Sequence, residues 1–205
     1  MRENMDVLIM AGGMGTRLKK NIEKPLLKIS GKPMIDYIME AVLNSNIEKI
    51  RISVSKHTPN TKIYIENNYI NTKKYNQRVE IIHTSGIGYI NDLNECIEYF
   101  KEPFLILTSD IPTIKSKTIN SIINEYLIIN NSNNPIESLC AVTLKENYIG
   151  TPTIDIKGYI PLGLNIISPK YGEQTEMLYL IDEKIVNVNT LIDKNLVENI
   201  IKKGD

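Results

Sequence analysis

An apolar run at residues 7–11 ends abruptly in Gly12-Gly13-Met14-Gly15, and this junction constrains the chain more than any other feature. Three glycines within four positions allow a tight turn whose backbone N–H groups can approach an anion, an approach that Cβ atoms would obstruct. Arg17 and Lys24 follow closely and add fixed positive charge, as a nucleoside triphosphate requires. The turn lacks the Lys-Ser/Thr ending of a P-loop, and its spacing does not match G-x-G-x-x-G. A kinase-like NTPase or a nicotinamide enzyme is therefore disfavoured.

Further β-rich apolar runs at 50–54, 79–82 and 104–107 alternate with helical patterns. Ile35, Ile38, Met39, Val42 and Leu43 fall on one helical face, with Pro33 suited to the first turn; Leu93, Ile97 and Phe100 repeat the pattern. A helix is predicted over 116–129, with Ile119, Ile122, Ile123, Tyr126 and Leu127 facing inward. This alternation predicts an α/β fold with a mostly parallel sheet covered on both faces. After the polar stretch 130–135, strands are predicted near 138–144, 164–167, 177–181 and 185–188. A final helix over 191–203 would be amphipathic through Leu191, Ile192, Leu196, Ile200 and Ile201. At 205 residues, 42% hydrophobic and 23% charged, the chain can bury one substantial core, so a single domain spanning 1–205 is expected.

The formal net charge is zero, which removes the electrostatic footprint of a nucleic-acid binder. Arg17, Lys19, Lys20, Lys24, Lys28 and Lys32 form one local basic cluster beside the glycines. It reads either as a solvated face or as anion binding. Cys96 and Cys140 stand in no metal-ligand or disulfide spacing and are expected to be buried apolar residues. The first apolar run is too short for a signal-peptide core or a membrane span, so a cytoplasmic location is expected.

Asp110, in TSDIP, ends the strand at 104–107 and would point into the cleft that receives the glycine turn. It could hold Mg²⁺ with substrate phosphates, or simply form a turn. Residues 84–88 (Thr84, Ser85, Gly86, Ile87, Gly88) place two glycines between a strand and a helix, where a base or ribose could approach; an ordinary turn is the alternative. Asn187 and Asn189 would project to one face of a short strand. Either amide could complete a metal or phosphate shell, or with Thr190 cap the last helix. His57 and His83 fall outside any metal-ligand spacing.

Together, GGMGTR, the downstream Lys24-Pro25 and SDIP resemble the nucleotidyltransferase superfamily, where such elements occur in this order. The longer segments EKPLLKISGKPMIDYI, TSGIGYINDLNECIEYFKEPFLILTSD, IPLGLNIISPK and VNVNT are more similar still to the archaeal adenosylcobinamide-phosphate guanylyltransferase family, which is MobA-like. The resemblance implies a Rossmann-like three-layer sandwich of the nucleotide-diphospho-sugar transferase (GT-A-like) type. It also implies transfer of GMP from GTP to adenosylcobinamide phosphate, releasing pyrophosphate. Arg17, Lys24 and Asp110 would then be catalytic. GTP would lie on Ala11, Gly12, Gly13, Gly15, Thr16, Arg17, Lys24, Thr84, Ser85, Gly86 and Gly88, with Gly163 and Asn165 in an acceptor loop. Asp110 and Asn189 would hold Mg²⁺. Met14 and Ile87 depart from this picture, being apolar beside the expected nucleotide. The expected partners are GTP and the cobinamide phosphate, with no nucleic acid or membrane, and a homodimer is left open. Transfer to molybdopterin or to a sugar or alcohol phosphate, or GTP sensing without turnover, are the rival readings.

Overall fold

The computed structural model describes residues 4–15, 22–75 and 77–203. Nine strands and five α-helices occur among them: β1 (Met5–Met10), β2 (Lys28–Ile29), β3 (Lys32–Pro33), α1 (Met34–Leu43), β4 (Ile47–Ser55), α2 (Pro59–Ile65), β5 (Val79–Thr84), α3 (Tyr89–Ile97), β6 (Phe104–Thr108), α4 (Ser116–Asn130), β7 (Ser138–Leu144), β8 (Tyr159–Ile167), β9 (Glu176–Leu180) and α5 (Leu191–Lys203).

Seven strands form one sheet in the order β5-β4-β1-β6-β8-β7-β9. The first four are parallel, as expected for strands joined by helical crossovers. β8 then runs antiparallel to both β6 and β7, while β9 returns parallel to β7. β1 lies between β4 and β6, buried on both faces, which explains its unbroken apolar run. Val7 and Ile9 pack on the side of Ile38, Met39 and Val42 of α1 and Ile119, Ile122 and Ile123 of α4. Leu8 and Met10 face Cys96 and Ile97 of α3 and Phe100 beyond it. Two helical layers thus enclose the sheet. Phe100 stacks on Phe104 with ring centroids 3.7 Å apart, and Arg51 lies over the Phe100 ring.

Three expectations are corrected. Residues 185–188 are not a strand, although Ile185, Val186 and Val188 are buried. Their hydrogen bonds go to side chains and turns instead: Val186 N–H donates to Thr113 Oγ1 and Val188 N–H to the Asp110 carbonyl, at 3.1 and 2.8 Å. α5 buries Val197 and Ile200 against Leu27, Ile29 and Met34, whereas Leu191 and Ile192 are exposed. Burial there follows the β2–β3 hairpin beneath the helix. Pro33 precedes α1 and pairs in β3, so the helix starts one residue later.

Candidate active site

β1 and β6 are adjacent and parallel, so the turns leaving their carboxyl ends open on the same side of the sheet. A cavity of about 520 Å³ lies there, lined by Gly12, Gly13, Met14, Gly15, Lys24, Pro25, Gly86, Ile87, Gly88, Tyr89, Asp92, Thr108, Asp110 and Asn189, among others. Residues far apart in sequence meet in it. Lys24 Nζ donates to Asp110 Oδ2 at 2.6 Å and to Asn189 Oδ1 at 3.0 Å. Asn187 Nδ2 donates to Asp110 Oδ1 at 3.2 Å, so both carboxylate oxygens are engaged. Burial alone would raise the Asp110 carboxyl, but the touching Lys24 ammonium and these hydrogen bonds hold it below the ordinary aspartate value.

The sequence folds locally to place Lys24. Glu23 accepts hydrogen bonds from the backbone N–H groups of Asn60 and Thr61, at 2.8 and 2.6 Å, and from both side chains. These are free donors at the start of α2, where a carboxylate is favoured. Glu23 therefore ties the Lys24 segment to the main body, and Pro25 is buried behind it. Asn189 is held equally firmly. Asp193 Oδ2 accepts from the N–H groups of Asn189 and Thr190, while Thr190 Oγ1 accepts from the Asp193 N–H. This reciprocal cap starts α5 and leaves the Asn189 amide free to face Lys24.

The other expected residues fall in distinct places. Ala11 is buried at the end of β1, its N–H bonded to the Ser53 carbonyl. Gly12, Gly13, Gly15, Gly86 and Gly88 line the cavity. Gly86 has φ +71°, and a Cβ there would stand 2.7 Å from Ser55 Oγ and from the His57 ring; only glycine fits. Thr84 and Ser85 do not line the cavity: the Thr84 hydroxyl donates to the Val54 carbonyl and the Ser85 N–H to Glu95. Thr16 and Arg17 lie outside the described residues, as do Lys19 and Lys20. Of the remaining basic cluster, Lys32 pairs with Glu40, and Lys28 is exposed.

Gly163 and Asn165 do not form a loop. Both belong to β8, with Asn165 opposite Ile106 of β6. Gly163 has φ +72°, and a Cβ would stand 2.3 Å from Thr108 Oγ1, so its absence lets β8 lie against the strand that leads to Asp110. Asn165 Oδ1 is buried without a hydrogen-bond partner among the described residues, whereas the Thr108 hydroxyl lies against Asp110 and helps to hold its carboxyl low. Sequence reasoning missed Glu23 as a helix cap, and it missed Asp92. Asp92, Cys96 and Phe100 follow the inward period of α3, so a carboxylate heading that series was the available signal.

Residues 7–150 match the MobA-like NTP transferase domain. The chain belongs to this MobA-like NTP transferase family. The adenosylcobinamide-phosphate guanylyltransferase of Methanocaldococcus jannaschii is 47% identical over 199 residues, covering 97% of this chain and 98% of that one. The D-glycero-alpha-D-manno-heptose 1-phosphate guanylyltransferase of Campylobacter jejuni is 26% identical, covering 98% and 86%. Among solved structures, HddC from Yersinia pseudotuberculosis in complex with GMP-PN has a TM-score of 0.70 at 19% identity, covering 96% and 99%. That likeness establishes the GT-A-like architecture of this MobA-like transferase. The family's nucleotidyl-transfer chemistry also fits a cavity with glycine turns at its rim and a lysine–carboxylate pair at its base.

Proposed function

We propose that the protein transfers GMP from GTP to adenosylcobinamide phosphate, giving adenosylcobinamide-GDP and pyrophosphate, as a single cytoplasmic nucleotidyltransferase domain. The observation that carries the reaction class is the Lys24 ammonium bracketed by Asp110 and Asn189 at the carboxyl end of the sheet. The acceptor rests on near-full-length similarity to the M. jannaschii enzyme.

An oxygen of the acceptor phosphate attacks the α-phosphorus, and the bond to the β-phosphate oxygen breaks as pyrophosphate leaves. A phosphate monoester is largely dianionic near neutral pH, so no general base is needed. What remains is alignment and neutralisation of charge. The Gly12–Gly15 backbone and Arg17 would hold the triphosphate, and Lys24 would stabilise charge developing at the α-phosphate. Asp110 orients Lys24 through their 2.6 Å contact. Gly163 and Asn165 of β8 would border the acceptor.

Asp110 Oδ2 and Asn189 Oδ1 converge on one cation, the Lys24 ammonium. Two hard oxygen donors of this kind fit Mg²⁺, which takes its other ligands from phosphates and water. Asp110 and Asn189 would hold it, and when bound it neutralises charge on the phosphates.

Incubation with GTP and a panel of phosphate acceptors, followed by mass detection of the product, tests the reading. Adenosylcobinamide-GDP should form, with little product from molybdopterin or hexose phosphates. Equal or greater transfer to one of those would displace it.

A further inference from the structure

Two carboxylates line the cavity, and only one is accounted for by the transfer chemistry. Asp110 is engaged by Lys24 and Asn187. Asp92 is 4% exposed, near the start of α3. Its Oδ1 accepts the Gly86 N–H at 2.9 Å. Its Oδ2 points toward the opposite glycine turn, 3.5 Å from where a Cβ on Gly12 would stand. No donor among the described residues meets that oxygen within hydrogen-bond distance. Asp92 lines the cavity, so a ligand donor can reach that oxygen.

That partner is not a phosphate, because the charges are alike. It is a neutral group carrying N–H or O–H donors, reaching Asp92 from the cavity that Gly12, Gly13 and Gly86 also line. Met14 and Ile87 line the same cavity and are 61% and 70% exposed, apolar surfaces suited to the faces of a base and poorly suited to a sugar. Their otherwise odd chemistry beside a nucleotide is thereby explained.

We propose that Asp92 selects guanine, its Oδ2 accepting from the N1 imino and N2 amino groups while Oδ1 keeps the Gly86 turn in place. Guanine presents two adjacent donors on that edge, and a carboxylate only accepts. Adenine places the N1 lone pair against the carboxylate and is rejected. This assignment rests on GTP being the donor substrate, but it concerns base recognition and is independent of the acceptor.

Calorimetric titration with GTP, ITP, XTP, ATP and 2′-deoxy-GTP tests it in wild type and Asp92→Asn. Wild type should bind ITP, which lacks the N2 amino group, roughly 10- to 100-fold more weakly than GTP, as expected for a hydrogen bond to a charged group. Asp92→Asn can still accept the Gly86 N–H but turns an amide donor toward the base. It should lose GTP affinity by a similar roughly 10- to 100-fold factor and gain affinity for XTP, whose C2 carbonyl accepts. An unchanged GTP-to-XTP ratio in the variant would overturn the proposal, as would equal binding of GTP and ITP by wild type. Loss of discrimination against 2′-deoxy-GTP in its place would assign Asp92 to the ribose and overturn it too. If Asp92→Asn does not fold, the wild-type GTP-to-ITP ratio decides alone. Transfer to cobinamide phosphate with no base preference would remove this inference and leave the transferase reading intact; base preference without transfer would do the reverse.

Discussion

Lys24 Nζ lies 2.6 Å from Asp110 Oδ2 across 86 residues of sequence, and each side chain is more than four-fifths buried. The pair joins the segment that leads into β2 to the turn after β6. Neither group is well placed without the other, since a buried charge that loses its partner stays uncompensated.

Lys24→Ala should lower kcat/KM for GTP by roughly 10²- to 10³-fold, the usual effect of removing one donor aimed at developing oxyanion charge. Circular dichroism should show a folded protein. Steady-state kinetics returning a change under about threefold would take Lys24 out of the transition state.

Glu23 never touches the cavity, yet it accepts four hydrogen bonds from Asn60 and Thr61 and anchors the segment carrying Lys24. Glu23→Ala should cost about 1–2 kcal/mol, as loss of a helix cap does, and should reduce kcat more than it raises KM. Thermal denaturation beside steady-state kinetics reads both. A fall in Tm with unchanged kcat would limit Glu23 to stability.

Gly163→Ala places a Cβ against Thr108 Oγ1 in a left-handed backbone conformation. Strain and overpacking together should destabilise by roughly 2–4 kcal/mol. Because Thr108 is two residues before Asp110, activity should fall in the fraction that remains folded. Urea denaturation with activity per folded molecule measures both effects.

The Asp110 carboxyl is held below its ordinary value, so its charge is present above the unfolded pKa of about 3.9 and is lost only as pH falls through the lowered folded value. The acid limb of kcat/KM should therefore follow the second ionisation of the acceptor phosphate, near about pH 6, with no limb from Asp110 above about pH 4. A limb that stays fixed when the acceptor is replaced by one of different phosphate pKa would assign it to the enzyme.

Strands buried on both faces and helices with one apolar stripe were readable from residues 7–11 through 116–129, because local periodicity reports burial directly. The second half was less legible. Residues 185–188 are buried like a strand, but their bonding goes to Thr113 and Asp110, which no local pattern encodes. Leu191 and Ile192 looked like core, yet which face of α5 is buried depends on the distant β2–β3 hairpin. In the site, Lys24 and Asp110 stood out by residue type and position, whereas Asn187 and Asn189 could not be told apart until the fold set Asn189 against Lys24 and Asn187 against Asp110. Glu23 and Asp92 did not stand out, since their roles are contacts with Asn60, Thr61 and Gly86 that appear only after the chain has folded.

Pyrophosphate release from GTP, measured with and without adenosylcobinamide phosphate in wild type and Asp110→Ala, bears most directly on the assignment of guanylyl transfer to this cavity. Wild type should release pyrophosphate only when the acceptor is present, and Asp110→Ala should be slower by at least roughly 10²-fold while remaining folded. GTP binding without acceptor-dependent release, or near-normal release by Asp110→Ala, would contradict it.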